Sequence, residues 1–280
     1  MRKTALIPAI LAAFSLPAFA QSADPSKAAS PHTLTANIGL FSSYRFRGID
    51  QTFGKPALQG GVDYAHASGL YLGNWNSNVN SGAGYPSGNL EMDFYGGWKG
   101  SWGDWGLDVG GIYYYYPGTD APAAAPITNA KTTRVHGGSV SNKELYIGAS
   151  WKFLSLKYFH SFGDYFSVPH TKGSGYIDLS ANYDLGDGWG VNGHVGHLNF
   201  KNYSNGRSGG DYTDWKIGVT KDFSGWVVGA SYVGTNAKGS CSPNAAGLVQ
   251  PYCFGNDWTG ATKTKDAGRD ILVVSVSRTF

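Results

Sequence analysis

Hydrophobic and polar residues alternate along most of this chain, and the alternation predicts strands with two different faces. The last eleven residues, Asp270–Phe280, show it plainly. Leu272, Val274, Val276 and Phe280 share one face; Ser275, Ser277 and Thr279 share the other. From Thr33 the same period places Leu34, Ala36, Ile38, Leu40, Tyr44 and Phe46 against Thr35, Asn37, Gly39, Ser43, Arg45 and Arg47, so a first strand is expected over Thr33–Arg47. In between, Leu90, Met92, Phe94 and Trp98 oppose Glu91, Asp93, Tyr95 and Lys99. Leu145, Ile147, Ala149 and Trp151 oppose Glu144, Tyr146, Ser150 and Lys152. Ile177, Leu179, Ala181 and Tyr183 oppose Asp178, Ser180, Asn182 and Asp184. Continued along the chain, the pattern gives twelve strands.

The connections between these strands are unequal. Tight turns such as Asp187-Gly188 and Ser224-Gly225 alternate with long polar loops, the longest over Pro117–Ser141 and around Cys241 and Cys253. Regular alternation of short and long connections, with an even strand number, is the pattern of a transmembrane barrel with periplasmic turns and extracellular loops. The fold expected is therefore all-β: a 12-stranded antiparallel transmembrane β-barrel over residues 33–280, with both termini periplasmic. The final strand then pairs with the first, and no open edge remains. Strand direction places Trp98, Trp105, Trp151, Tyr183, Trp189, Trp226 and Phe280 in a periplasmic aromatic belt. Tyr44, Phe46, Tyr113, Tyr115, Trp215 and Tyr232 fall in an outer one.

Composition agrees with the pattern. Charged residues make up only 15% of the chain, against about 25% in soluble domains. No mature segment is long and apolar enough for a membrane helix. Residues 1–20 carry Arg2 and Lys3, a short apolar run and Ala18-Phe19-Ala20, the layout of a secretory signal peptide. Residues 21–32 are small and polar and form a flexible lead-in. Without Arg2 and Lys3 the formal charge falls from +3 to +1, and no basic run stands out, so nucleic acid is not an expected partner. In an exported chain, Cys241 and Cys253 are expected to form a disulfide that staples a loop.

Several runs carry a family resemblance. They include N-I-G-L-F-S-S-Y-R-F-R-G-I-D-Q-T (Asn37–Thr52), G-N-W-N-S-N-V (Gly73–Val79), E-M-D-F-Y-G-G (Glu91–Gly97), E-L-Y-I-G-A-S (Glu144–Ser150), N-G-H-V-G-H (Asn192–His197) and D-W-K-I-G-V-T-K-D (Asp214–Asp222). From about Thr33 to Phe280 the chain resembles the TorF-like family of porins of Gram-negative bacteria. The resemblance implies an outer-membrane channel for small hydrophilic solutes, with no catalytic residues to transfer. The terminal Phe280 resembles the signal read by the outer-membrane assembly machinery. Arg278 departs from that signal, which usually has an aromatic or apolar residue there.

If the apolar face meets the lipid bilayer, the charged face lines a lumen. The lumen or constriction candidates are Arg45, Arg47, Asp63, Glu91, Asp93, Asp108, Glu144, Lys152, Asp178, Asp214 and Lys216. Such charges either set the selectivity of an open pore or pair across the strands and fill a narrow barrel. Arg45 and Arg47, opposite Glu91 and Asp93, are the candidate anion-facing constriction, and Ser275, Ser277 and Thr279 mark the seam where a path would run. An enzymatic barrel would need a nucleophile and a base on one face. His160 and Ser161 point to opposite faces, as do His194 and His197, so neither pair builds a catalytic dyad. No metal or cofactor set is evident. Two further roles stay open: a non-conducting barrel that binds a partner through its loops, and an outer-membrane lipase or protease.

Overall fold

A computed structural model describes residues 30–119, 138–203, 210–244 and 249–280. The readings made for residues 1–20, most of 21–32 and much of the 117–141 loop fall outside these.

Where the sequence alternates, the chain forms long antiparallel strands. In chain order the elements are β1 (His32–Phe41), β2 (Arg45–Phe46), β3 (Ile49–Asp50), β4 (Ala57–His66), β5 (Leu70–Asn78), β6 (Leu90–Trp102), β7 (Trp105–Tyr115) and β8 (Ser141–Trp151). They continue with β9 (Leu154–Ser161), β10 (Gly175–Gly186), β11 (Trp189–Asn199), β12 (Tyr212–Phe223), β13 (Trp226–Thr235), β14 (Cys253–Gly255), β15 (Thr264–Asp266) and β16 (Ile271–Thr279). Twelve of them close a barrel in the order β1-β16-β13-β12-β11-β10-β9-β8-β7-β6-β5-β4. The closing seam pairs Asn37 with Thr279 and Phe41 with Ser275, and Phe280 exchanges backbone hydrogen bonds with Ala36. Every edge of the barrel is paired, so no wall strand is left as a template for aggregation.

Short and long connections sort to opposite ends. Five tight turns lie at one end, where β1 begins and β16 finishes. Asp187-Gly188 and Ser224-Gly225 hold both central residues at positive φ, the backbone that suits a two-residue hairpin between twisted strands. The long connections gather at the other end. Cys241 and Cys253 are bonded there.

The period of two sets the two faces. β8 alternates through its whole length: Asn142, Glu144, Tyr146, Gly148 and Ser150 are buried inside, while Leu145, Ile147, Ala149 and Trp151 are exposed outside. The outer wall is apolar on every side, with Leu34 71%, Ile217 63% and Leu272 62% exposed. At the turn end, Trp102, Trp105, Tyr183, Trp189, Phe223, Trp226 and Phe280 project outward. Three cations sit over this aromatic rim: Lys152 on Trp151, Lys221 on Trp189, and Arg278 on Trp226 and Phe280.

The first predicted strand is shorter than its pattern. β1 stops at Phe41, and residues 42–56 leave the wall and turn into the barrel. Ser42-Ser43 breaks the outward register. Arg47 and Gly48, both at positive φ, then form the two-residue turn between β2 and β3. Tyr44 and Phe46 therefore do not join the outer aromatic belt. Tyr44 is 2% exposed and meets the Trp75 ring edge-on, and Phe46 packs on Tyr114 and Phe166.

Inside, bulky rings lie over glycines of neighbouring strands. A Cβ on Gly196 would fall inside the van der Waals radius of the Tyr176 hydroxyl, and one on Gly73 would strike the Tyr95 ring. Gly196→Val is expected to displace Tyr176 and cost about 1–3 kcal/mol, the usual penalty for overpacking. Denaturant unfolding in detergent measures it; an unchanged midpoint would mean that the ring does not hold the strand.

Candidate functional site

The candidate site is the lumen, and the inward segment 42–56 divides it into two levels. At the loop end, that segment and the long connections build an aromatic core within the barrel. Tyr44, Tyr85, Tyr114, Tyr116, Phe166, Tyr176, Tyr212 and Tyr252 are all buried. Tyr85 stacks on Tyr116 with centroids 4.0 Å apart, and Tyr252 meets Tyr212 at 5.0 Å.

Arg47 is the hub of this level. Its Nη1 and Nη2 donate to Glu144 Oε1 and Oε2 at 3.0 and 2.7 Å, a bidentate pair from the segment to β8. Nη1 also donates to the Tyr165 hydroxyl at 2.9 Å. The guanidinium lies 4.3 Å from the Tyr176 centroid, 4.9 Å from that of Phe46 and 5.0 Å from that of Phe159. Burial works against the Arg47 charge, but Glu144 together with Tyr165 and Tyr114 raises its pKa above the ordinary arginine value. Burial pushes the Tyr165 hydroxyl up to about 12, although Arg47 opposes it, so this hydroxyl stays neutral.

The rest of the segment is tied to the loops. Arg45 donates to the carbonyls of Ala267 and Arg269 at 2.9 and 3.2 Å and lies 3.7 Å from Asp50. Lys265 meets Asp50 at 2.7 Å. Burial lowers the Lys265 pKa, and Asp50 offsets this in part. The Asp50 backbone N–H donates to Ala267, and the Asn80 N–H donates to Gln51. Tyr85 donates to the Gln51 side chain at 2.5 Å. Gly48 approaches Thr235 and Asp214 closely enough that no Cβ would fit. The segment thus crosses the bore from β1 to β8–β10, with its turn also against β12 and β13.

Toward the turn end the lumen is polar. Lys157 donates to Asp108 at 2.6 Å, and Tyr71 donates to the same carboxylate at 2.6 Å while bonding the Tyr146 hydroxyl. Tyr95 donates to Asp63 at 2.5 Å. On the adjoining strands, where Asp178 is the register partner of Lys157, His194 Nδ1 lies 2.8 Å from Asp178 and Nε2 3.5 Å from Asp214, which also accepts from Tyr176 at 2.9 Å. Lys216, next to His194 in register, stands in the field of Asp178 and Asp214.

The structure places Asp63, Glu91, Asp93, Asp108, Glu144, Asp178, Asp214 and Lys216 on the inward face. Lys152 is a correction. It occupies the tight turn after β8 at positive φ, its side chain half exposed beside Asp104 and over Trp151. The strand ends at Trp151, so Lys152 belongs to the rim. Arg45 and Arg47 are corrected too: they are on the inward segment, not on a wall strand, and both are already partnered. The seam is also filled: the Phe41 ring folds over Gly39, and Ser277 beside it is buried. His194 was missed as a centre. Its signal lay in the register, where Ser180 and Lys216 flank it and bring Asp178 and Asp214 near on the diagonals. Among the described residues, no group of three or more His, Cys, Asp or Glu is arranged to hold a metal ion.

A closed antiparallel barrel with an apolar outside and a charged inside defines the class. The chain belongs to the Gcw_chp family, described as bacterial protein of unknown function, whose model matches residues 25–280. No curated protein matches it. Among solved structures, it is similar to the KdgM porin at 7% identity and a TM-score of 0.48, covering 88% of this chain and 99% of that one. The NanC porin gives 9% identity and a TM-score of 0.46, with 89% and 99% covered. Outer-membrane OmpT of Vibrio cholerae gives 11% and 0.43, with 91% and 99% covered. None of these fixes what this chain carries.

Breaking a buried ion pair by removing one partner costs about 3–5 kcal/mol, because the other charge stays buried and unpaired. Arg47→Ala and Glu144→Ala are each expected to lose stability in that range, and the double variant less than their sum. Arg47→Ala should also open the Phe46–Phe53 stretch to chymotrypsin in folded protein. Additive losses and an uncut segment would show that the pair does not hold it.

Proposed function

We propose that this chain is an outer-membrane barrel of a Gram-negative bacterium through which small hydrophilic solutes diffuse passively. Its lumen is charged and narrowed at the outer mouth by residues 42–56. The observation that carries this reading is the pair of opposed faces. An apolar wall that surrounds the molecule has no place in water, and a polar, charged interior has no reason to exist without a water path or internal pairing. In this reading the turn end and both termini are periplasmic, the long loops are extracellular, residues 1–20 direct export, and Phe280 engages the assembly machinery. The resemblance to TorF-like porins supports the same role.

A second reading has its own support. The outer half of the lumen is packed with buried rings and Arg47 is fully partnered, as in a non-conducting barrel that binds a partner through its loops. In that case deleting residues 238–260 should abolish partner binding while the barrel still folds.

The two separate in a planar bilayer. Purified full-length protein is expected to show discrete conductance steps that are brief and infrequent, because the segment closes the mouth in its resting state. Silence at all voltages, in the wild type and in Arg47→Ala, would reject the channel.

A further inference from the structure

The sequence pointed to Arg45 and Arg47 as an anion-facing constriction. The structure assigns the opposite sign, and the inference rests on the channel reading. We infer that the outer constriction selects cations, through Glu91, Asp93 and Glu144, and that withdrawal of residues 42–56 exposes it.

Three carboxylates meet at the level of the inward segment. Glu91 and Asp93 stand two apart on β6, so both face the lumen, and Glu144 faces it from β8. Each is buried; Glu91 and Glu144 are 1% exposed and Asp93 6%. Of the three, the Arg47 guanidinium is bonded only to Glu144. Glu91 Oε2 and Asp93 Oδ1 have no hydrogen-bond partner among the described residues. Asp93 lies in the field of both glutamates. The wall at this level sets three carboxyl groups against one guanidinium.

The moving part and the fixed part are different pieces of chain. The carboxylates sit on β6 and β8, each locked on both sides by continuous ladders to β5, β7 and β9. The wall itself supplies neutral donors: Tyr116 to Glu91 at 2.9 Å, and Tyr114 and Asn142 to Glu144 at 3.2 and 3.1 Å. The segment adds the Arg47 cation on Glu144 and the Tyr44 hydroxyl on Glu91. The segment is held mainly by side chains, and it carries Arg47 and Phe53 at positive φ, a backbone that persists only while its surroundings enforce it. When it swings out, Arg47 and Tyr44 leave together. Three carboxyl groups then line the mouth with no basic residue between them among the described residues of β6, β7 and β8. A ring of carboxylates in a low-dielectric wall attracts cations and repels anions. The other nearby cations do not reverse this. Arg45 and Lys55 are on the segment and leave with it, and Lys265 lies on β15, away from β6 and β8.

The test is the reversal potential of refolded full-length protein in a planar bilayer under a KCl gradient. Wild-type protein and Arg47→Ala should both prefer K+ over Cl−, and Arg47→Ala should be open for a larger fraction of the time. The double variant Glu91→Gln, Asp93→Asn should lower the K+ to Cl− permeability ratio by at least about twofold. Its folding is checked independently by heat-modifiable migration on a gel. Conductance that prefers Cl−, or a ratio unchanged in the folded double variant, would overturn the inference and leave the channel standing. Silence in wild type and Arg47→Ala alike would remove the channel and this inference with it.

Discussion

The interior of this barrel depends on one ion pair. The Arg47–Glu144 contact joins a segment that is not part of the wall to a strand that is. Without it, residues 42–56 would have no charged anchor on the β8 side. The rings around the pair, those of Phe46, Phe159, Tyr165 and Tyr176, exclude water, which strengthens the pair and makes a lone charge there costly. The aromatic core at the loop end, the closure of the seam and the contacts to loop 236–270 all follow from where that segment lies.

The wall was legible because its cause is local. A period of two follows from strand geometry, and an apolar outside with a polar inside repeats it at each residue. Leu145, Ile147 and Trp151 fall outside and Glu144 and Tyr146 inside for that reason alone. Asp187-Gly188 and Ser224-Gly225 mark turns by backbone preference, again a local property. The loop end was not legible in the same way. Tyr44, Phe46, Arg45 and Arg47 continue the alternation of β1, yet they leave the wall. Ser42-Ser43 and the Arg47-Gly48 turn were the signals against continuation, and both are weak beside four well-placed side chains. Lys152 failed for the reverse reason: it fits the pattern by one residue past the strand end. The Asp178–His194–Asp214 cluster needed the register between three strands, which periodicity does not supply.

Fold and proposed function meet in how charge is distributed. The inner half keeps its charges in small networks, Lys157 with Asp108 and His194 with Asp178, so a polar surface persists without a net field of one sign. The outer half instead sets Glu91, Asp93 and Glu144 against a single arginine on a detachable segment. A narrow barrel of twelve strands can be filled by its own side chains. Here the filling comes from wall strands, several long connections and residues 42–56 together.

Liposome swelling tests this account most directly. Vesicles carrying wild-type protein or Arg47→Ala are diluted into an isotonic solution of a small neutral sugar, with Glu144→Gln as a second release of the same pair. The account predicts slow swelling with wild type and clearly faster swelling with both variants, each folded. Equal rates for all three, at the level of empty vesicles, would contradict it.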